Sequence, residues 1–333
     1  MTSSTLRVAA RAALLLLVLS PLPSILSGCG TQAQNAIKVQ NILSEAKRHA
    51  QVDPDDKQAR VWADRAVAVA PQNIDTYVGV RDPTLSESLL SIAAVFDTVG
   101  DDAAMADYMQ QAALKFPDDE RPLQRLDVSL SRLGRTAEMK ASATKLAALS
   151  TKLLLKPNAQ DIVTLTVIRA QALWDSGDIA DGTTEFRKAL QAYPTSSLFP
   201  NGLAYNFAEA NTNLPEALTL AQQALILAQR DIGDGKEEEV AQVQDTLGWV
   251  QHQKGDNKNA EQNLQEAAGA MPRQPEIRLH LGVIYAAQGK TDAARSEFNH
   301  ALLISKDYLA AKQALAALPK STASARSAAP LSL

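Results

Sequence analysis

Two stretches decide the fold: Asp245-Thr246-Leu247-Gly248-Trp249, followed by Gly255, Ala260, Leu264, Ala267 and Pro272, and His280-Leu281-Gly282-Val283, followed by Tyr285, Gly289, Ala294, Phe298 and Ala301. Gly248 and Gly282 are 34 residues apart, as are Leu247 and Leu281, Gly255 and Gly289, Ala260 and Ala294, Leu264 and Phe298, and Ala267 and Ala301. Six columns in one register define a repeat of two short helices. A glycine and an alanine in facing columns let the two helices approach closely. Leu264 and Phe298 fill the space between repeats. Gly255 and Gly289 supply the left-handed residue that ends the first helix.

Working outward, the same layout recurs with looser columns. Gly100 to Gly134 is again 34 residues. Repeats are expected near 40–73, 86–119, 120–153, 163–196, 198–231, 241–274 and 275–308, with Gly182 in the small column of the fourth and Met105 and Met139 replacing it in earlier ones. Residues 154–162 link or extend a helix. Residues 232–240, with Glu237, Glu238 and Glu239, read as a polar acidic insertion. Residues 309–318 read as an amphipathic helix covering the last repeat, and 319–333, rich in Ser and Ala, as a disordered tail.

These columns resemble the tetratricopeptide repeat family, whose pattern is W-x2-L-G-x2-Y, then A-x3-F, then P. The resemblance implies an all-α, right-handed superhelical solenoid of about seven helix-turn-helix repeats over residues 40–308. Each repeat buries its apolar face only against its neighbours, leaving a concave groove. In this family the first helix of each repeat lines that groove. By register the groove residues are Gln171 and Trp174, Asn206 and Glu209, then Asp245, Trp249 and His252, then Leu279 and Val283. Asp245, Trp249 and His252 are expected to open into it, while Trp62 falls in a second helix and is assigned to the core. The implied partner is a protein or peptide, with tryptophan the residue type most often dominant in such contacts. The clamp by which some family members hold acidic chaperone termini needs lysines and asparagines. Only Asn206 stands in a clamp-like column, so that activity is not expected.

The N-terminus carries a different signal. Arg7 and Arg11 precede an apolar run from Ala12 to Leu19, which Pro21 and Pro23 interrupt. The run is too short to span a bilayer and is flanked as a secretory signal is. It ends Leu26-Ser27-Gly28-Cys29, which resembles a bacterial lipobox, and Cys29 is the only cysteine in the chain. The resemblance implies a signal peptide over 1–28, lipidation of Cys29, and a tether over 29–39. Two or three acyl chains, each buried methylene contributing about 0.8 kcal/mol, would hold the protein at the membrane. Gly30 after the cysteine favours the outer membrane, with the repeats facing the periplasm.

Several chemistries lack their residues. With net charge −4 there is no broad basic field, and no nucleic-acid partner is expected. Gly289-Lys290-Thr291 lacks the glycine five residues earlier that a phosphate loop needs, where Ile284 stands, so no nucleotide is expected. His49, His252, His280 and His300 form no metal-ligating pair, the acidic run has no EF-hand order, and a lone cysteine makes no disulfide. No cofactor is expected and no catalytic residue is assigned. The leading reading is a membrane-anchored, non-catalytic interaction scaffold in envelope assembly or secretion. The alternatives are a repeat-built peptidoglycan- or polysaccharide-processing enzyme, for which Asp245 and Glu209 are the available acidic pair, and a purely structural spacer.

Overall fold

A computed structural model describes residues 100–156, 162–230 and 236–319. Twelve α-helices and no strands occur among them: α1 (Asp102–Lys115), α2 (Arg121–Leu133), α3 (Thr136–Leu154), α4 (Ile162–Ser176), α5 (Ile179–Ala192), α6 (Leu198–Glu209), α7 (Leu214–Arg230), α8 (Lys236–Gln253), α9 (Asn257–Ala270), α10 (Pro275–Ala287), α11 (Thr291–Ile304) and α12 (Leu309–Ala317). They form an all-α solenoid of five helical hairpins, α2–α3 to α10–α11, with α1 before them and α12 after. The expected signal peptide, Cys29, the tether, Trp62, the first repeat, part of the second and the tail from 320 lie outside the described residues.

The punctuation of the helices follows local chemistry. Asp101 and Asp256 cap α1 and α9 by accepting from Ala104 N and Asn259 N. Pro275 occupies the first turn of α10, where a missing N–H costs nothing. Gly255 and Gly289 take the expected left-handed backbone. The hairpin α6–α7 has no glycine in its turn; Asn211 and Asn213 adopt positive φ instead, the residue type that tolerates it best after glycine. One expectation is corrected. Glu237, Glu238 and Glu239 are not an insertion loop but the first turn of α8. Three carboxylates there complement the positive end of the helix dipole.

Within a hairpin the spacing is set by small residues. A Cβ at Gly282 would come 2.5 Å from Cε1 of Phe298, and one at Gly248 2.9 Å from Cγ of Leu264. Ala260, Ala267, Ala294 and Ala301 are fully buried, and Leu264 and Phe298 fill the remaining space. Each of those two larger side chains contributes roughly 2–3 kcal/mol of apolar burial.

One set of contacts departs from a nearest-neighbour stack. The first described helices meet the last ones. Lys306 N donates to the Gly100 carbonyl at 3.2 Å, Ser305 Oγ donates to Asp102, and Lys306 Nζ pairs with Asp101. Leu309 seats against Gly134, and Arg132 of α2 reaches Glu276 of α10 at 2.8 Å. The array thus closes on itself, and its inner face becomes an interior.

Candidate functional site

The first helices of the hairpins, α4, α6, α8 and α10, turn one face inward. On α8 that face carries Gln242, Asp245, Trp249 and His252, spaced three or four residues apart and so stacked along one side of the helix. Trp249 is flanked by two imidazoles. The His280 ring stacks on it with centroids 4.4 Å apart and planes 14° apart, and the His252 ring with centroids 5.1 Å apart. His280 Nδ1 lies 2.7 Å from Asp245 Oδ1, and His252 Nδ1 lies 2.6 Å from Asn257 Oδ1.

The two histidines are driven in opposite directions. Burial opposes protonation of His280, but the carboxylates of Asp245, Glu209 and Glu276 outweigh it and hold the imidazole above its ordinary value. For His252 burial dominates and depresses the value, the charge on His280 adds to this, and the bond to Asn257 opposes it.

The neighbouring helices supply the rest of the interior. Gln171 of α4 and Asn206 of α6 exchange two amide hydrogen bonds of 3.2 and 3.1 Å, and Gln171 also donates to Asp175. Trp174 meets Phe207 edge-on at 6.0 Å. Below them, Arg132 donates to Glu276 and to Asp102, and Gln274 Nε2 donates to Glu276 at 2.7 Å. Glu276 is fully buried, and burial pushes its carboxyl up against the opposing pull of Arg132. Burial likewise pushes the Tyr308 phenol well above its usual range, with Glu276 adding to it.

Of the expected groove residues, Gln171 meets Asn206 and Trp249 stacks on His252, but they are not open to solvent as a groove. Asp245 and Leu279 have no exposed surface, Trp249 is 1% exposed, and Gln171, Trp174, Asn206 and Glu209 are buried as well. Val283 and His252 are half-buried. The expectation that Asp245, Trp249 and His252 open into a groove is corrected for two reasons. Helix α10 lays His280 directly over Trp249, and Arg132 of α2 reaches Glu276 at the start of the same helix. Leu279 packs with Ala294, Phe298 and Tyr308 as core.

Four polar atoms on this face, Gln242 Nε2, Asp245 Oδ2, Trp249 Nε1 and His280 Nε2, are buried without a hydrogen-bond partner. Unmet buried polar groups of this kind are uncommon and costly. Sequence reading missed Arg132, Glu276, Asp102 and Ser305, which sit outside the periodic columns. It also missed the Asp245–His280 pair, although a signal was available: the two are one residue off the repeat period on successive first helices. Among the described residues no group of three or more His, Cys, Asp or Glu is placed to hold a metal ion, and no helix is long and apolar enough to cross a membrane.

Stacked helical hairpins of 34-residue period, joined through small residues, define the class of helical-repeat arrays. Within it, residues 251–323 match the family model of the tetratricopeptide repeat. Among solved structures the chain is similar to a tetratricopeptide-repeat protein of Parabacteroides merdae (14% identity, 85% of this chain and 98% of that one, TM-score 0.47) and to a thermophilic one of Thermus thermophilus (21% identity, 60% and 97%, TM-score 0.44). It is also similar to a chain of the Cut9–Hcn1 hetero-tetramer of APC/C (14% identity, TM-score 0.42), of which it spans about half, 52%, while 84% of this chain is covered. No curated protein sequence matches the chain.

Proposed function

We propose that the protein is a lipid-anchored scaffold of the bacterial envelope that binds a protein or peptide on the inner face of its repeats, without catalysis. The observation that carries the binding reading is the set of four unsatisfied buried polar atoms around Trp249 and His280. Two of them, Trp249 Nε1 and Gln242 Nε2, are donors, Asp245 Oδ2 is an acceptor, and His280 Nε2 can be either. A peptide backbone offers the complementary donors and acceptors, and the indole offers apolar area beside them. Gln171 and Asn206, which satisfy each other, extend the same strip. The anchoring reading is supported by Leu26-Ser27-Gly28-Cys29 and the apolar run before it. Envelope assembly or secretion, including exopolysaccharide export, pilus assembly and outer-membrane assembly, is the setting these two features fit.

Two experiments test the two halves. A photo-crosslinking residue placed at His252 or Val283, both half-buried on the inner face, is expected to capture a partner in the living cell. The same residue at Ile226, exposed on the outer side of α7, is not. Adducts from Ile226 alone would overturn the inner-face reading. The variant Cys29→Ala is expected to leave the membrane fraction and lose the acyl mass of the mature N-terminus. A membrane-bound Cys29→Ala protein would refute lipidation.

A further inference from the structure

Contacts in a helical-repeat array run between neighbours, so residues 144 to 206 positions apart in sequence are not expected to touch unless the array closes. Here they touch at one place, and the character of that place differs from every other junction. Successive hairpins join through apolar cores, such as Leu264, Ile277, Leu281 and Ile284 between α9 and α10. The closing contact is mainly polar: Arg132 with Glu276, Ser305 with Asp102, Lys306 with Asp101, and the Lys306 N–H with the Gly100 carbonyl, while Arg132 and Asp102 join α1 to α2 on one side of it. Leu309 against Gly134 is its apolar part, and Leu309 is still 37% exposed. A Cβ at Gly100 would collide with the Ile304 carbonyl oxygen, so the two backbones meet only because no side chain intervenes.

Polar contacts of this kind specify a geometry more than they stabilise it, because desolvation of the charges offsets most of their attraction. They also rehydrate readily when parted. The apolar junctions inside the array have no such alternative. The closing contact is thus the junction whose separation costs least, and behind it lies the face with four unmet polar atoms.

We infer that the meeting of α1–α2 with α10–α12 is a clasp that keeps the array in a self-masked state, and that a partner reaches the inner face only after the clasp parts. The inference rests on the reading of that face as the partner surface. A partner then binds the open state alone, and its apparent affinity is reduced by the fraction of molecules that are closed. Weakening the clasp raises that affinity without altering any residue of the inner face.

Lys306 is the residue to change, because it is 38% exposed and belongs to no core. In the full-length protein with Trp62 and Trp174 replaced by Phe, Lys306→Glu turns the attraction to Asp101 into repulsion. It is expected to raise the amide hydrogen-exchange rate of α2 and α12 about tenfold while α4 to α9 stay protected, and to raise acrylamide quenching of Trp249. The double variant D101N/K306E, which removes the repulsion without rebuilding the ion pair and keeps a capping side chain at the start of α1, is expected to bring both back to the level of K306A. K306A, which only removes the attraction, is read in parallel and shows the same local pattern at about threefold. Unchanged exchange and quenching overturn the clasp, as does a loss of protection spread evenly over the array or a failure to fold, since any of these makes the contact an ordinary part of the structure. No partner enters this measurement. A clasp that opens while His252 and Val283 still capture nothing would refute the partner surface and leave the clasp standing.

Discussion

Asp245→Asn isolates the charge in the stack around Trp249. Asp245 and His280 are both buried, with Oδ1 and Nδ1 2.7 Å apart. The substitution keeps an oxygen that still accepts from Nδ1–H of a neutral imidazole, so at alkaline pH the loss should stay below about 1 kcal/mol. At acid pH the wild-type imidazole is charged, and its bond to a carboxylate is worth roughly 1.5–3 kcal/mol. The sign follows from linkage. His280 has a folded value above its unfolded one, so its contribution is complete below about pH 6.5 and is lost as pH rises through the folded value. Without Asp245 that gain disappears on the acid side, because burial, the largest influence on His280, is opposed only by Glu209 and Glu276.

Urea unfolding followed by Trp fluorescence, at about pH 5.5 and about pH 8.5, reads the difference between wild type and Asp245→Asn. The groups that face His280 are Asp245 and His252 on α8, Glu209 on α6 and Glu276 on α10. Those left unchanged largely cancel in that difference. The loss should be larger at the acid pH by about 1–2 kcal/mol, the difference between a charge-assisted and a neutral hydrogen bond. Equal losses at the two values, or a larger one at alkaline pH, would refute the ion pair.

The remaining predictions concern packing and the clasp. Gly282→Ala should destabilise the protein by about 1–3 kcal/mol in urea unfolding, because the new methyl meets the ring of Phe298, itself 1% exposed and unable to swing away. Gly269→Ala, in an exposed helical position with nothing within 4 Å, should instead stabilise by about 0.5–1 kcal/mol; shifts of the same sign would refute the register. Arg132→Met would cost about 3–5 kcal/mol if Glu276 and Asp102 stayed buried around it. Because an opening clasp rehydrates both carboxylates, the global loss should stay under about 2 kcal/mol, with the exchange increase confined to α1, α2 and α10 to α12.

The solenoid was legible because its determinants are periodic. Gly248, Gly282, Ala260 and Ala294 repeat since the same backbone approach repeats, and each column carries information about the next. The weaker hairpin α6–α7 was legible through Leu214 and Pro215 but not through its turn, where Asn211 and Asn213 replace the expected glycine. Parts of the inner face were legible in the sequence: Gln171 meets Asn206, and Asp245 and Trp249 stand on one side of α8. Its exposure was not, because burial there depends on Arg132, Glu276, Asp102 and Ser305. Each of these occurs once, in no column, and pairs across more than a hundred residues. Periodicity carries nearest-neighbour information and is blind to closure.

Closure also changes what the inner residues are for. In an open array Trp249 would be an exposed anchor, and its neighbours would be hydrated at little cost. In the closed array Asp245 Oδ2, His280 Nε2, Trp249 Nε1 and Gln242 Nε2 are withdrawn from water without being satisfied, each unmet group costing roughly 1–3 kcal/mol. Such a penalty opposes the closed state. That cost lowers the free energy needed to open the array, and a partner that satisfies even two of the four atoms favours the open state. Selectivity would lie in matching that pattern of donors and acceptors beside the indole. The clasp would set how much of the binding energy is spent before any of it is seen as affinity.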